Sequence, residues 1–229
     1  MKKYLVISTI GDESLHSEWI QNDPDFDLVL LYYGDKKEIA KEYTKQTPYV
    51  YMAKGEKYHL LKSFILSEQE FISQYSYIWL PDNDVSISTE DINKMFLLAE
   101  QYKLLLAQPA MIGHVSHRIT LPQPNTLLRF TNFVEVLAPL MSLDTLMLVK
   151  DTFDENYSGW GYDFLWPYLL EYPQDKIAIK FSTKYNKFFT HTKEISKLTE
   201  IDEPWLKFSE RTTTLTLTQS QNDVEQEIK

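Results

Sequence analysis

The sequence predicts an α/β fold, a mainly parallel twisted sheet flanked by helices, and three observations carry that prediction. Apolar runs of strand length alternate with helical stretches across residues 4–108, the pattern of a sheet covered on both faces. The runs at 5–10 and 26–33 are β-branched, leucine-rich and aromatic, and Gly, Asp and Pro bound them. The stretch 58–74 instead sets Leu60, Leu61, Phe64, Ile65, Phe71 and Ile72 at helical intervals.

Between the first two strands, residues 14–21 form a short polar piece with helical character, and 36–45 reads as a loop or short helix. A third short strand is expected at 49–53, followed by the charged turn Lys54-Gly55-Glu56-Lys57. The apolar run 75–80 is the next strand. Ser88 with Asp91 three residues on resembles a capping box and opens a helix over 89–102, and 104–108 is a further strand ending at Pro109. Beyond residue 110 the periodicity is lost. Residues 114–130, with His114, His117, Pro122, Pro124, Arg118 and Arg129, read as one long loop, and loops of that length inside domains are often lids or binding loops. Residues 133–141 look strand-like with Glu135 inside them, 160–172 read as a turn and then a helix, and 188–192 is a short aromatic segment ending in His191-Thr192. From 212 onward threonine, glutamine and acidic residues suggest a loosely attached tail, although Leu215 and Leu217 alternate well enough for a docked strand. There is no internal repeat and no linker. The expectation is one domain at 1–211, with halves at 1–108 and 109–211, and a tail at 212–229.

Composition narrows the function. The 229 residues are 43% hydrophobic and 14% aromatic, ample for a real core. No cysteine is present, which excludes disulfides, thiolate metal sites and a cysteine nucleophile, and fits a reducing, cytoplasmic setting. The apolar run at the N-terminus meets Asp12 and Glu13 too soon for a signal sequence and reads as a buried strand. Nothing approaches the ~20 apolar residues of a membrane span, so any membrane contact is expected to be peripheral, through aromatics such as Trp205 and Phe208. A net charge of −10 argues against nucleic acid as a partner. An anionic substrate would need a cation and a few placed lysines.

Chemistry concentrates first in Leu80-Pro81-Asp82-Asn83-Asp84. Residues i and i+2 of an extended chain share a face, so Asp82 and Asp84 can converge while Asn83 turns away to hold the turn. Two hard oxygen donors at a strand end suit a divalent cation that keeps its other positions for water and substrate phosphates. A solvated Asp/Asn turn is the plain alternative. The second concentration is Gly159-Trp160-Gly161-Tyr162-Asp163. Paired glycines let backbone approach a ligand, and Trp160 offers a flat face on which a sugar ring can stack. Asp163 falls at a helix start, where the dipole favours its charged form and weakens a base, while a dry aromatic pocket pushes the other way. The plain reading is a glycine turn, a core tryptophan and a helix-capping aspartate.

Together with Ala107-Gln108-Pro109-Ala110, Phe133-Val134-Glu135, Ala138-Pro139 and His191-Thr192, these motifs stand in an order that resembles the GT-A-type nucleotide-sugar glycosyltransferases. Within them the order is similar to a plant and bacterial family long known only as a domain of unknown function. The matching pieces span roughly residues 4–192. Lys180 falls where that pattern has an acidic residue, and the last 30 or so residues match nothing.

The resemblance implies a GT-A-like single domain with a Rossmann-like N-terminal half. It also implies transfer of a sugar from a nucleoside-diphosphate donor, UDP-linked as a family-level expectation, to a hydroxyl of a saccharide, glycolipid or glycoprotein. Asp84 would bind the cation directly, Asp82 would contact the ribose or the metal through water, and His191 would be the third ligand. A mixed carboxylate and imidazole set leans toward Mn²⁺ over Mg²⁺. Asp163 would be the general base, with Glu135 as runner-up, and a base opposite the leaving group means inversion. Ser8, Thr9, Ile10 and Tyr33 would lie near the nucleotide base, with Asn83, Lys54 and Lys57 as further nucleotide contacts. Gln108, His114, His117, Arg129, Trp160 and Gly161 are the sugar and acceptor candidates. The rivals are a non-catalytic carbohydrate-binding protein of the same fold, and a nucleotidyltransferase or sugar-phosphate hydrolase. The single glycine and two acids of Ser8-Thr9-Ile10-Gly11-Asp12-Glu13 count against a nucleotidyltransferase phosphate loop.

Overall fold

The computed structural model describes residues 2–112, 117–180 and 214–216. Among them nine strands join in one sheet of order β3-β2-β1-β4-β7-β5-β8-β6-β9. The first half is wholly parallel: β1 (Tyr4–Ile10) lies between β2 (Phe26–Tyr32) and β4 (Tyr77–Trp79), and β3 (Tyr49–Met52) flanks β2. The second half mixes directions. β7 (Leu140–Ser142) runs antiparallel between β4 and β5 (Leu106–Pro109), and β8 (Ile177–Lys180) is parallel to β5. β6 (Thr126–Phe130) is antiparallel to both β8 and β9 (Thr214–Thr216).

Both faces of the sheet are buried, which is why its strands read as continuous apolar runs. Alternate residues of β1 enter opposite cores. Tyr4, Val6 and Ile10 join Trp19 of α1 (His16–Trp19), Tyr43 of α2 (Lys37–Tyr43) and Phe96 of α5 (Thr89–Gln101). Leu5 and Ile7 join Phe64 of α3 (Lys57–Ser67), Ile72 of α4 (Gln69–Ile72), Leu146 of α6 (Leu143–Val149) and Trp166 of α7 (Tyr162–Leu169). The expected cap of α5 is present: the Asp91 amide donates to Ser88 Oγ at 3.2 Å. No described helix is long and apolar enough to cross a membrane.

Four sequence expectations are corrected. The helical stretch 58–74 breaks at Glu68, whose backbone is non-helical, into α3 and α4. The presumed loop 114–130 contains β6 and a 3-10 turn at Arg118–Thr120; Arg129 hid the strand, though all five of its residues are buried. Residues 133–139 are not strand, and regular pairing begins only at Leu140. Within the presumed tail, β9 pairs with β6 at the sheet edge, as the alternation of Leu215 with Leu217 allowed.

The antiparallel insertion of β7 positions the site. Its first residue, Leu140, pairs with Trp79 at the C-terminal end of β4, so segment 131–139 arrives directly over Asp82 and Asp84. Leu80 donates to the Pro139 carbonyl at 2.9 Å and Asp82 to that of Leu137 at 2.7 Å. The carboxyl ends of parallel strands are where open α/β sheets take their ligands.

Candidate active site

Asp82 and Asp84 lie just beyond β4, both half-buried. Asn83 does turn away: its amide donates to the Glu13 carbonyl at 2.7 Å, and its own carbonyl accepts from Leu15 at 2.7 Å. That leaves the two carboxylates on one side, where both act on the same neighbours. The exposed Tyr33 hydroxyl is pushed up by burial first and then by Asp82 and Asp84. Lys57, on the first turn of α3, is pulled down by burial, against which Asp82, Asp84 and Asp163 all act. Its ammonium meets Asp82 Oδ1 at 2.7 Å and also donates to the carbonyls of Val136 and Leu137 at 2.9 and 3.2 Å.

Val136 is the hinge between the two motifs. Its carbonyl accepts from Lys57 and from the Tyr58 hydroxyl, and its amide donates to Asp163 Oδ1 at 2.7 Å. Asp163 is thus linked through Val136 to Lys57, the partner of Asp82. It stands in the first turn of α7, entered through Gly161 at φ 96°. Asn156 shapes the approach by accepting from the Gly159 amide at 2.6 Å and donating to the Trp160 carbonyl at 3.2 Å. The opposition between helix terminus and dry pocket resolves in favour of the pocket. Asp163 is 7% exposed, and burial raises its pKa to about 6 against the hydrogen bonds from Val136 and its own amide and the charge of Lys57.

Glu135 lies beside it, 3% exposed, and is pushed up to about 8 by burial and then by the Asp163 charge. Its backbone amide donates to Gln108 Oε1 at 2.5 Å. Neither of its carboxyl oxygens has a hydrogen-bond partner among the described residues. His117, Glu135, Val136, Leu137, Trp160 and Asp163 line one open pocket. Trp160 is an exposed wall of it, and a side chain at Gly161 would meet nothing within 4 Å.

Other candidates take different places. Ser8 is fully buried and donates to the Pro81 carbonyl at 2.9 Å, so it supports the acidic turn from below. Ile10 is core, and Thr9 is buried at the end of β1. Lys54 is exposed and closes the end of β2 through the carbonyls of Tyr33 and Gly34 and through Asp35. Gln108 is wholly buried and holds the Glu135 backbone. His117 lines the pocket, where a sugar or acceptor contact would stand, and packs its ring on Phe133 at 4.5 Å, while Arg129 is buried in β6. His114 and His191 lie outside the described residues. Sequence reasoning missed the Val136 and Leu137 backbone, Tyr58 and Asn156; only the Asn-x-x-Gly turn chemistry of Asn156 carried a signal.

The donor set bears on a cation. Among the described residues no three His, Asp or Glu side chains gather as metal ligands. Asp82 and Asp84 fit a cation held by one or two carboxylates and completed by diphosphate oxygens.

The chain superposes on the crystal structure of S. aureus TarS 1-349 with a TM-score of 0.52 at 16% identity, over 82% of this chain and 59% of that one. The same TarS segment in complex with UDP matches with a TM-score of 0.52 at 15% identity, again over 82% and 59%. A structure from Desulfovibrio desulfuricans G20, assigned provisionally as a nucleotide-diphospho-sugar transferase, matches at 0.45 and 12% identity over 80% of each chain. The likeness is one of fold, a mixed sheet flanked by helices shared with the TarS segment. The chain spans about three fifths of the length of TarS 1-349. No family model matches it, and no curated protein is detectably similar in sequence.

Proposed function

We propose that this chain is a glycosyltransferase that moves a sugar from a UDP-linked donor to a saccharide hydroxyl with inversion. The observation that carries the reading is Asp163. It is a carboxyl raised to about 6 by burial, poised to accept a proton near neutral pH, lining a pocket and linked through Val136 and Lys57 to the acidic turn. A TarS segment of the same fold has been solved with UDP, which supports the choice of nucleotide.

In this reading Asp82 and Asp84 would hold Mn²⁺, completed by diphosphate oxygens. The cation supplies charge neutralisation for the departing diphosphate. Lys57 keeps Asp82 in place, and Tyr33 borders the nucleotide side. Asp163 accepts the proton of the acceptor hydroxyl as that oxygen attacks the anomeric carbon from the face opposite the leaving group. Trp160 provides the stacking wall.

The test is thermal unfolding with Mn²⁺ and a panel of nucleoside diphosphates, on wild type and Asp84→Ala. A ligand at ~100 times its dissociation constant adds about 2.7 kcal/mol, a clear midpoint shift. A Mn²⁺-dependent shift with UDP that disappears in Asp84→Ala is expected. No shift with any diphosphate sinks the donor-site reading.

A further inference from the structure

Glu135 presents a physical problem that the proposed reaction does not solve. A carboxyl that is 97% removed from solvent should be paired or hydrogen-bonded, because an isolated buried polar group costs free energy. Here both oxygens lack a partner among the described residues, although the group lines an open pocket. The neighbours cannot supply what it lacks. Asp163 is a second acid, with one oxygen committed to the Val136 amide. The Gln108 amide spends its oxygen on the Glu135 backbone and its nitrogen on the Pro109 carbonyl at 3.2 Å. The His117 backbone and the Gln108 amide lie near enough to draw its pKa down against burial, yet neither completes a well-formed hydrogen bond to a carboxyl oxygen. The Lys57 ammonium, which neighbours Asp163, is engaged with Asp82 and the carbonyls of Val136 and Leu137.

Resting on the glycosyltransferase reading, we propose that Glu135 is a neutral acid that grips a saccharide hydroxyl in the pocket, donating through its O–H and accepting through its carbonyl oxygen. A sugar hydroxyl is the matching chemistry, since it too both donates and accepts, and Trp160 across the pocket supplies the stacking face. The two acids then divide the work. Asp163 titrates lower and takes the proton, while Glu135 keeps its own and binds. The division follows from burial, because two adjacent carboxyls in a dry site cannot both be charged cheaply. Asp163 is the titratable group whose charge acts on Glu135, and it reinforces the neutral form.

The decisive measurement is infrared spectroscopy at pH 7 on wild type, Glu135→Gln and Glu135→Leu, with UDP-hexoses added alone and then with methyl glycosides. A protonated-carboxyl band is expected in wild type, absent from both variants, and displaced when the saccharide enters. Displacement by the UDP-hexose alone identifies the donor sugar as the bound group, and displacement only with the glycoside identifies the acceptor. Turnover gives a second readout. Glu135→Gln, whose amide still donates and accepts, should lose about tenfold in kcat/KM, and Glu135→Leu more, mainly through KM. The proposal falls if no protonated-carboxyl band assignable to Glu135 is found. It falls equally if the band stays still while UDP shifts the unfolding midpoint, or if Glu135→Gln costs as much kcat as Asp163→Asn. Failure of the glycosyltransferase reading itself shows differently, as no UDP-induced midpoint shift in wild type.

Discussion

Two acidic pairs sit on either side of the Val136–Leu137 peptide, and their surroundings are opposite. At the end of β4, Asp82 is 32% exposed and paired with the Lys57 ammonium at 2.7 Å, with Asp84 two residues on. On the α7 side, Asp163 and Glu135 are 7% and 3% exposed, meet no ammonium directly among the described residues, and are pushed up to about 6 and about 8. The same residue types therefore suit different tasks. A half-buried, lysine-paired Asp82 with Asp84 beside it suits a cation and a diphosphate, and two deeply buried carboxyls suit holding and moving protons. Residue identity alone does not separate these roles; what each carboxyl packs against does.

The sharpest way to break that contrast is to remove each key group in turn. Asp163→Asn should lower turnover by about 10²- to 10⁴-fold, while UDP still shifts the unfolding midpoint. Retained turnover would end the assignment of Asp163 as base. Lys57→Met comes next. It strips Asp82 of its partner and leaves two carbonyls short of a donor, so a loss of about 2–3 kcal/mol is expected in urea unfolding, discounted because Asp82 is partly solvated. A loss below about 0.5 kcal/mol would mean that solvent already serves those groups, and the Asp82 side would be wetter still.

The contrast also explains what the sequence could show. The parallel half of the sheet was legible because strands buried on both faces are written as apolar runs, and Ser88 announced its helix. Asp82 and Asp84 drew notice as acids at a strand end, but β4 stops at Trp79 and the chain turns at Asn83, so the i and i+2 rule of an extended chain does not itself place them. The dry pair was half legible: Gly161 and Asp163 marked a turn into a helix, but whether dipole or desolvation governs Asp163 depends on packing from the distant segment 131–139. That segment was itself misread as strand, since it spends its hydrogen bonds on Lys57, Tyr58, Gln108 and Asp163, all remote in sequence. β6 stayed hidden because a buried arginine interrupts its apolar pattern.

A pH series sharpens the comparison further. Acids whose folded pKa lies above the unfolded one stabilise the fold fully below the unfolded value, and that stability is lost as pH rises through the folded value. For Glu135 the loss should run from the ordinary glutamate range up to about pH 8, and for Asp163 from the aspartate range to about 6. Wild-type stability should therefore fall between pH 5 and 8, and Glu135→Gln should flatten much of that slope, gaining on the order of 2–4 kcal/mol over wild type at pH 8. A variant whose urea midpoint tracks wild type at every pH would show that the Glu135 pocket is hydrated.

The smallest effect tests whether the α7 turn is scaffold or device. Gly161 holds φ 96°, a conformation that costs an L-residue about 1–2 kcal/mol, while a methyl there meets nothing within 4 Å. Gly161→Ala should therefore cost about 1 kcal/mol of stability from backbone strain alone, with no clash and no dependence on pH between 5 and 8. Turnover is the discriminating readout. If kcat falls no further than the folded fraction does, the turn only closes the chain. A tenfold fall in kcat with the fold intact would show that a shift of the α7 start misplaces Asp163. The dry side would then depend on backbone geometry to a degree the Asp82 side, with its long and adaptable lysine, does not.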